Sequence, residues 1–222
     1  ATSTIAGSSL GSADGTGTSA RFNHLVGVSG STDGTTLIAA DFGNDRIRQV
    51  PAPVCLTPHC RPRLNASLAV SLSTTSCVAP SQVALLPPSP PPLSLAPPPS
   101  PSPVTTLAGS SEGFADGTGT FARFYQPHGV SVSPDGATVF VADQANHRIR
   151  AVVIATGAAT TIAGSGQSGY TDSTTGAAAR FNYPTGLSAS PDGATVFVAD
   201  RPNNRIRAVV IATGATTTLA GS

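Results

Sequence analysis

Two nearly identical stretches decide the fold, GVSVSPDGATVFVADQANHRIRAVVIATGAATTIAGS at Gly129–Ser165 and GLSASPDGATVFVADRPNNRIRAVVIATGATTTLAGS at Gly186–Ser222. A more diverged copy, GVSGSTDGTTLIAADFGNDRIRQV, occupies Gly27–Val50. Self-similarity at a fixed period is typical of repeat architectures, in which each repeat is one supersecondary unit. The sequence therefore predicts a chain organised around three repeats.

A second motif precedes each copy. ADGTGTSARFN at Ala13–Asn23 returns as ADGTGTFARFY at Ala115–Tyr125, and a looser copy, DSTTGAAARFN, lies at Asp172–Asn182. The arginines of the second and third copies are 57 residues apart, whereas those of the first and second are 102 residues apart. The first interval therefore contains an insert.

Each repeat predicts four short strands. GVSVS alternates apolar and polar residues, ATVFVAD is β-branched and aromatic, and RIRAVVI and TTIAGS follow. PDG at 134–136 is a tight-turn sequence, because proline presets φ and glycine accepts a positive φ. We expect an all-β fold of four-stranded antiparallel units, either propeller blades or a stacked-sheet array.

The pattern RF-x-x-P-x-G-V-x-V-S-P-D-G, followed by V-F-V-A-D, N-H-R-I-R and T-x-A-G, resembles the NHL repeat. The resemblance implies β-propeller blades of about 57 residues and says little about chemistry, since propellers host many functions. Its core positions are matched by Asn44, Asp45, Arg46, Asn146, His147, Arg148, Asn203, Asn204 and Arg205, with Asp41, Asp143 and Asp200 at the acidic position before the loop.

The predicted organisation has four parts. Repeat 1 covers 1–50, a Cys/Pro-rich insert covers 51–104, repeat 2 covers 105–160, and repeat 3 with the boundary strand of a next blade covers 161–222. A closed propeller usually needs four to eight blades. The three repeats could belong to a ring shared by two chains, to a longer propeller, or to an open stack of blades.

The same element of the repeat stands at both ends of the sequence, as TSTIAGS and as TTTLAGS. Unpaired strand edges invite addition by a neighbour, and a head-to-tail contact that does not close generates a filament. We therefore expect the chain to partner itself, as a homo-oligomer or a filament, through its terminal strands. The sequence begins at Ala1 without a signal-like segment, as a mature product or part of a longer protein would.

The insert contains fifteen of the twenty prolines, and PPSPPPLSLAPPPSPSPV at Pro87–Val104 predicts a polyproline II rod. A stiff spacer and a ligand for SH3-type or WW-type domains are alternatives. The segment resembles hydroxyproline-rich glycoproteins of plant and green-algal walls and surface filaments. The resemblance implies hydroxylation and O-glycosylation at Pro87, Pro88, Pro90, Pro91, Pro92, Pro97, Pro98, Pro99, Pro101 and Pro103, with Ser89, Ser100 and Ser102 as further candidates.

The insert also holds an N-glycosylation sequon at Asn65 and all three cysteines. We expect a disulfide between Cys55 and Cys60, which leaves Cys77 free or paired with another chain. A zinc site that uses His59 is the alternative, but four ligands at the usual spacing are missing. Together these features favour an extracellular protein that is secreted, or associated with the cell surface or wall.

Composition argues against several partners. The formal net charge is +1 and lysine is absent, which is unlike a nucleic-acid-binding protein. No apolar run approaches the roughly 20 residues of a membrane-spanning helix, so membrane insertion is not expected. The DGTG turns offer one carboxylate each, too few for calcium.

Enzymatic activity is not expected either. The four histidines (His24, His59, His128 and His147) occupy different repeat positions, and no catalytic triad or carboxylate pair stands out. We expect no catalytic residue, metal or cofactor. The recurring charges are instead interpreted as structural pairs within each blade, Asp41 with Arg46, Asp143 with Arg148 and Arg150, and Asp200 with Arg205 and Arg207.

The sequence thus predicts an extracellular structural glycoprotein that self-assembles through its blades, into a filament or a surface- or wall-associated assembly. A glycosylated proline-rich arm would project from it. The alternative is a secreted adhesion module whose propeller face binds carbohydrate, such as wall polysaccharide, or another ligand. A metal-dependent propeller hydrolase or lyase is a weaker alternative.

Overall fold

The computed structural model describes residues 2–52, 71–73 and 103–221. This part of the chain is all-β, with antiparallel sheets joined by turns and short 3₁₀ turns. The prediction of NHL-like propeller blades is confirmed. The candidate cysteines, Asn65 and the rod residues before Pro103 lie outside the described residues, and Pro103 itself is exposed.

Three four-stranded sheets form the blades. The strands are β1 Thr2–Thr4, β2 Leu25–Gly30, β3 Thr36–Asp41, β4 Arg46–Pro51, β5 Ser71–Ser73, β6 Thr105–Ala108, β7 Gly117–Thr118, β8 Pro127–Val132, β9 Thr138–Asp143, β10 Arg148–Val153, β11 Ala158–Ala163, β12 Pro184–Ala189, β13 Thr195–Asp200, β14 Arg205–Val210 and β15 Thr216–Ala220. The first blade has the order β2-β3-β4-β6, the second β8-β9-β10-β11 with β7 beside β11, and the third β12-β13-β14-β15, while β1 pairs with β5.

In sequence order, the insert falls between the third and fourth strands of the first blade. Strand β6 follows the insert in sequence but pairs with β4, as β11 pairs with β10 in the second blade. In the sequence, residues 53–103 thus connect the same two strands of the first blade that the short turn at 155–158 connects in the second. The two residues at which the insert joins the blade, Ala52 and Val104 (its stems), are buried in one apolar cluster. Blades and sequence repeats are therefore offset by one strand, and the domain boundaries stay a prediction.

The turn between the first two strands of each blade is held by one aspartate. In the second blade, the carboxylate of Asp135 accepts hydrogen bonds from the Ser133 hydroxyl and the Ala137 N–H, and Gly136 takes a φ of 74°. These hydrogen bonds lower the pKa of Asp135, and Asp33 and Asp192 behave alike. The S-x-D-G sequence therefore fixes the hairpin locally in all three blades.

The core lies between the blades, because β8 packs against both β2 and β12. Along β9, Val139 and Val141 belong to the cluster shared with the first blade, whereas Phe140 and Ala142 belong to the cluster shared with the third. Both faces of this strand are buried. This explains why TVFVAD lacks the alternation of a half-exposed strand.

Glycines in the first strands allow neighbouring blades to approach closely. A Cβ built on Gly27 would lie 2.3 Å from the carbonyl oxygen of His128, and one on Gly129 would lie 2.3 Å from that of Thr185. In the third blade, a Cβ on the equivalent Gly186 would meet only the Ala199 Cβ, at 3.9 Å. The first two glycines are therefore required for blade packing within the chain.

We predict that Gly129→Ala lowers the free energy of unfolding by about 1–3 kcal/mol, because the added methyl group forces two backbones apart. Gly186→Ala is the matched control and leaves stability unchanged or slightly raised. Urea unfolding followed by circular dichroism measures both. Equal stability of the two variants would contradict this account of the blade junction.

Candidate functional site: the outer face of the third blade

A buried charge network organises each blade. In the second blade, the fully buried Asp143 accepts hydrogen bonds from the Arg150 Nη1 at 2.7 Å, the Asn146 Nδ2 at 2.9 Å and the Tyr125 N–H at 2.9 Å. Burial raises the pKa of Asp143, which these partners oppose. All of the carboxylate's partners are internal, so the group is structural rather than a ligand site.

Three of the arginines expected to pair with these aspartates do not take part in the network. The fully buried aspartates form salt bridges with Arg48, Arg150 and Arg207, not with Arg46, Arg148 and Arg205 two residues earlier. The pairing register shifts immediately before each of the bonded arginines, as a β-bulge does, and a bulge re-aims the side chain that follows it. The earlier arginines are only partly buried and donate to backbone carbonyls instead.

The sequence analysis did not identify a third member of the network. Asp116, in the second DGTG turn, accepts hydrogen bonds from the Arg150 Nη2 at 2.7 Å and from the Thr161 hydroxyl at 3.1 Å. It thereby joins the arginine to the fourth strand. The same contacts recur at Asp14 and Asp172, and the nearly constant spacing of 34 or 35 residues to the arginine was the available signal.

The two junctions between blades bury equivalent apolar residues. Phe140, Ala142 and Ile149 of the second blade are at most 2% exposed beneath the third blade. The equivalent residues of the first blade, Ile38, Ala40 and Ile47, are fully buried beneath the second. On the corresponding face of the third blade, large apolar side chains remain exposed: Phe197 by 39%, Ile206 by 43% and Leu219 by 56%.

A serine hydroxyl on the first strand connects neighbouring blades. The Ser29 Oγ accepts the N–H of Val132 at 3.0 Å, and the Ser131 Oγ accepts the N–H of Ala189 at 3.1 Å. Ser188 holds the same position in the third blade. Its hydroxyl is thus placed to accept an N–H from a further blade.

A second acceptor follows the 3₁₀ turn of each blade, at a residue in the left-handed conformation. The Asp45 Oδ1 accepts the N–H of Gln126 at 2.8 Å, and the His147 Nδ1 accepts the N–H of Tyr183 at 3.2 Å. Burial raises the pKa of Asp45 and lowers that of His147. Asn204 is the equivalent residue of the third blade, and its amide oxygen can accept the same bond.

The end of each fourth strand supplies a donor. The Gly109 N–H donates to the Gly119 carbonyl at 3.0 Å, and the Gly164 N–H donates to the Gly176 carbonyl at 2.9 Å. Gly221 is equivalent, with a φ of 102° close to theirs. It borders a depression of about 260 Å³ that Asn204 and Ile206 also line. We call this surface the third-blade docking face, and it comprises Ser188, Phe197, Asn204, Ile206, Leu219 and Gly221.

The three histidines that the structure describes each contact an aromatic ring. His24 and His128 each make an edge contact with the ring of Phe42, while His147 contacts Tyr183. Within the part of the chain that the structure describes, no group of three or more metal-binding side chains occurs. In the same residues, no helix has the length and hydropathy of a membrane span.

Comparisons with known proteins agree with this architecture. A family model of the NHL repeat matches residues 124–151. NHL repeat-containing protein 2 of Bos taurus is 36% identical over 107 residues, and that of Homo sapiens is 34% identical over 101 residues. Each alignment covers 46% of this chain and 14% of the relative, so the chain spans a small part of the length of these proteins.

Among solved structures, an auxiliary nutrient binding protein from Bacteroides thetaiotaomicron superposes with a TM-score of 0.52 at 18% identity. The match covers 87% of this chain and 37% of that protein. This likeness supports the fold. The chain therefore contains an NHL repeat and is homologous over the aligned stretch to NHL repeat-containing protein 2.

The His147 contact predicts a pH-dependent blade junction. Because burial depresses the pKa of His147 below 6.5, its contribution to stability is complete above that pH and is lost as the pH falls through the folded-state pKa. In His147→Asn, which copies Asn204, the acceptor is kept and the free energy of unfolding falls less between pH 7.5 and 5. Urea titrations at both pH values measure this difference. An unchanged pH dependence would contradict the assignment, and His128, whose pKa burial also lowers, supplies the background.

Proposed function

We propose that the chain is an extracellular structural glycoprotein that self-assembles through its propeller blades, into a filament or a surface- or wall-associated assembly. One observation carries the proposal. The third-blade docking face keeps every type of group that the two internal junctions use: an apolar patch, a serine hydroxyl, a second acceptor and a glycine donor. These groups match a further blade better than they match a small molecule.

The chemistry of the face favours a backbone partner. Covering the apolar patch removes large side chains from water, which contributes roughly 25 cal/mol per Å². The polar groups of the face would meanwhile satisfy buried N–H and C=O groups of the partner. A partner therefore needs a strand whose N–H groups fall at the spacing found in the internal junctions.

A second copy of the chain offers such a strand on its first blade. His24 has a φ of 58°, like Gln126 at 55° and Tyr183 at 47°, so its N–H lies where theirs do. Gly30 is equivalent to Val132 and can supply the N–H for a serine hydroxyl. The two complementary faces belong to opposite ends of the described blades. The contact is therefore head-to-tail, and it extends to a filament unless its rotation closes a ring.

The proline-rich arm belongs to the same proposal. Its stems at Ala52 and Val104 are anchored on the first blade, and Pro103 is exposed beside them. An arm that leaves from a hairpin end does not interrupt the sheet. Hydroxylated and glycosylated prolines, the Asn65 glycan and a disulfide between Cys55 and Cys60 remain part of the proposal, as does an extracellular location.

Ligand or carbohydrate binding is the second candidate function. Phe114 and Tyr170 are 44% and 45% exposed, and each ring carries an arginine guanidinium over its face, Arg148 at 3.7 Å and Arg205 at 3.6 Å from the ring centroid. Exposed, rigidly held rings suit the stacking of sugars. This function predicts a binding activity that survives loss of the third-blade docking face.

We predict that the chain self-associates with rising concentration and that Gly186→Ala and Ile206→Asp each shift it to the monomer. The alanine methyl group would collide with the incoming blade, as a Cβ on Gly27 or Gly129 would collide with the next blade, without disturbing the free chain. Sedimentation velocity measures the shift. Phe121→Asp is the control, because this ring is 82% exposed and lies outside the face. A wild-type chain that stays monomeric at high concentration would contradict self-assembly.

The glycosylated arm makes a separate prediction. In protein from its native source, peptides that cover 87–103 carry mass increments of hydroxylation and pentose or hexose units, and the Asn65 peptide loses mass on treatment with an N-glycosidase. Tandem mass spectrometry locates the modified residues. Unmodified proline throughout 87–103 would remove the glycoprotein part of the proposal and leave the self-association part intact.

A further inference from the structure

The N-terminal segment repeats the fourth-strand sequence. TSTIAGS at 2–8 corresponds to TTLAGS at 105–110, TTIAGS at 160–165 and TTTLAGS at 216–222. The last three include the fourth strands of the three blades. Within the described residues, the first pairs with the three-residue β5 rather than with a strand of one of the three blades.

The end of this segment occupies the position of a preceding blade's fourth strand. The Gly7 N–H donates to the Gly17 carbonyl at 3.0 Å, as Gly109 does to Gly119. A Cβ built on Gly7 would lie 3.0 Å from the Phe22 ring, and one on Gly109 would lie 3.1 Å from the equivalent ring of Phe124. The front face of a blade is the one that a preceding blade covers, and the rear face is the one that a following blade covers. Residues 5–7 therefore lie on the front face of the first blade, as the end of the first blade's fourth strand lies on the front face of the second.

Apolar packing repeats the same relationship. Ile5 and Ala6 pack against the cluster that contains Leu37 and Val50, as Leu107 and Ala108 pack into the first junction. The cover is nevertheless incomplete. Phe22 is only partly buried, whereas the equivalent rings Phe124 and Phe181 are fully buried under complete blades.

A second copy docking head-to-tail would need this same position. Its Gly221 N–H would require the Gly17 carbonyl, which the Gly7 N–H now holds. Its Leu219 and Ala220 would require the space of Ile5 and Ala6. Two fourth strands cannot occupy one place, since protein interiors are close-packed.

We infer that residues 4–7 act as a placeholder, which the third blade of a second copy displaces when it docks on the first blade. This inference rests on the proposed self-assembly and adds its mechanism. The incoming strand replaces the contacts of the placeholder nearly one for one. Burial of the apolar patch of Phe197 and Ile206, together with the Ser188 and Asn204 hydrogen bonds, supplies the additional binding free energy that favours the exchange.

The surface that the inference uses continues the series of junctions already present in the chain. Each existing junction joins the rear of one blade to the front of the next through the same hydrogen-bond positions. A copy-to-copy junction would be the third of the series. The placeholder is what distinguishes it, because it makes assembly of the free chain subject to a competing intramolecular contact.

Hydrogen exchange of the full chain tests the displacement directly. We expect association to lower the amide protection of residues 4–7 and to raise that of residues 17–24, which lie in the same connecting segment before β2. Protection of residues 204–206 in the third blade should rise as well. A simple dimer without displacement would raise or preserve protection throughout. Mass spectrometry of peptides at low and high protein concentration measures both, with Gly186→Ala as the control that stays unchanged.

Removal of residues 1–6 is the second test. The truncated chain should associate at least tenfold more tightly than the full chain, and its association should still be abolished by Gly186→Ala. Circular dichroism checks that the truncated chain is folded. Ile5→Ser, which weakens the placeholder without removing it, gives the same direction with a smaller shift where truncation unfolds the first blade.

The outcomes separate the two proposals. Association that Gly186→Ala blocks, but with unchanged exchange at residues 4–7 and unchanged affinity after truncation, overturns the placeholder and leaves self-assembly standing. A chain that is monomeric in every form, truncated or not, overturns both. Association that persists in Gly186→Ala shows that another surface is used and likewise overturns the placeholder.

Discussion

The buried ion pair between the second and third strands is the constraint on which each blade depends. A carboxylate without solvent is tolerated only with a partner that is equally buried, and Asp143 has Arg150 at 2.7 Å. The other guanidinium nitrogen continues to Asp116, which binds the fourth strand. One arginine thus ties three strands and the preceding connection into a unit. Because Asp41 with Arg48 and Asp200 with Arg207 repeat this arrangement, the three blades have the same shape.

Equal shape makes the blades stackable. The ion pair holds the strands of every blade in the same register, so the face that one blade turns to its successor fits the facing side of that successor. The same hydrogen-bond positions therefore recur at both junctions. Variation is confined to the acceptor after the 3₁₀ turn, where aspartate, histidine and asparagine serve the same purpose at Asp45, His147 and Asn204. Any residue with a short side-chain acceptor and tolerance of a positive φ suffices there. The acceptor therefore keeps the same backbone conformation in each blade, while its residue type varies.

The sequence was sufficient for the strands and their turns, because β-branched runs and PDG turns act locally. It was insufficient where long-range pairing decides. The arginine that neutralises Asp143 depends on a bulge before Arg150, and the partner of β4 lies beyond an insert of about fifty residues. Exposure was the least accessible property. TVFVAD is identical in the second and third blades, yet Phe140 is 2% exposed and Phe197 is 39% exposed. Only the presence or absence of a neighbouring blade distinguishes them.

That identity bears on what covers the third blade. In stacked repeat proteins, a terminal repeat whose outer face meets water carries polar substitutions at the positions that are apolar elsewhere. Here the outermost described blade keeps phenylalanine and isoleucine where the covered second blade has them, and it keeps glycine at Gly186, where only an approaching backbone requires the absence of a side chain. A face that remained in water would gain nothing from either feature. The third blade therefore has the composition of an internal blade, which supports the proposal that its outer face is covered in an assembly.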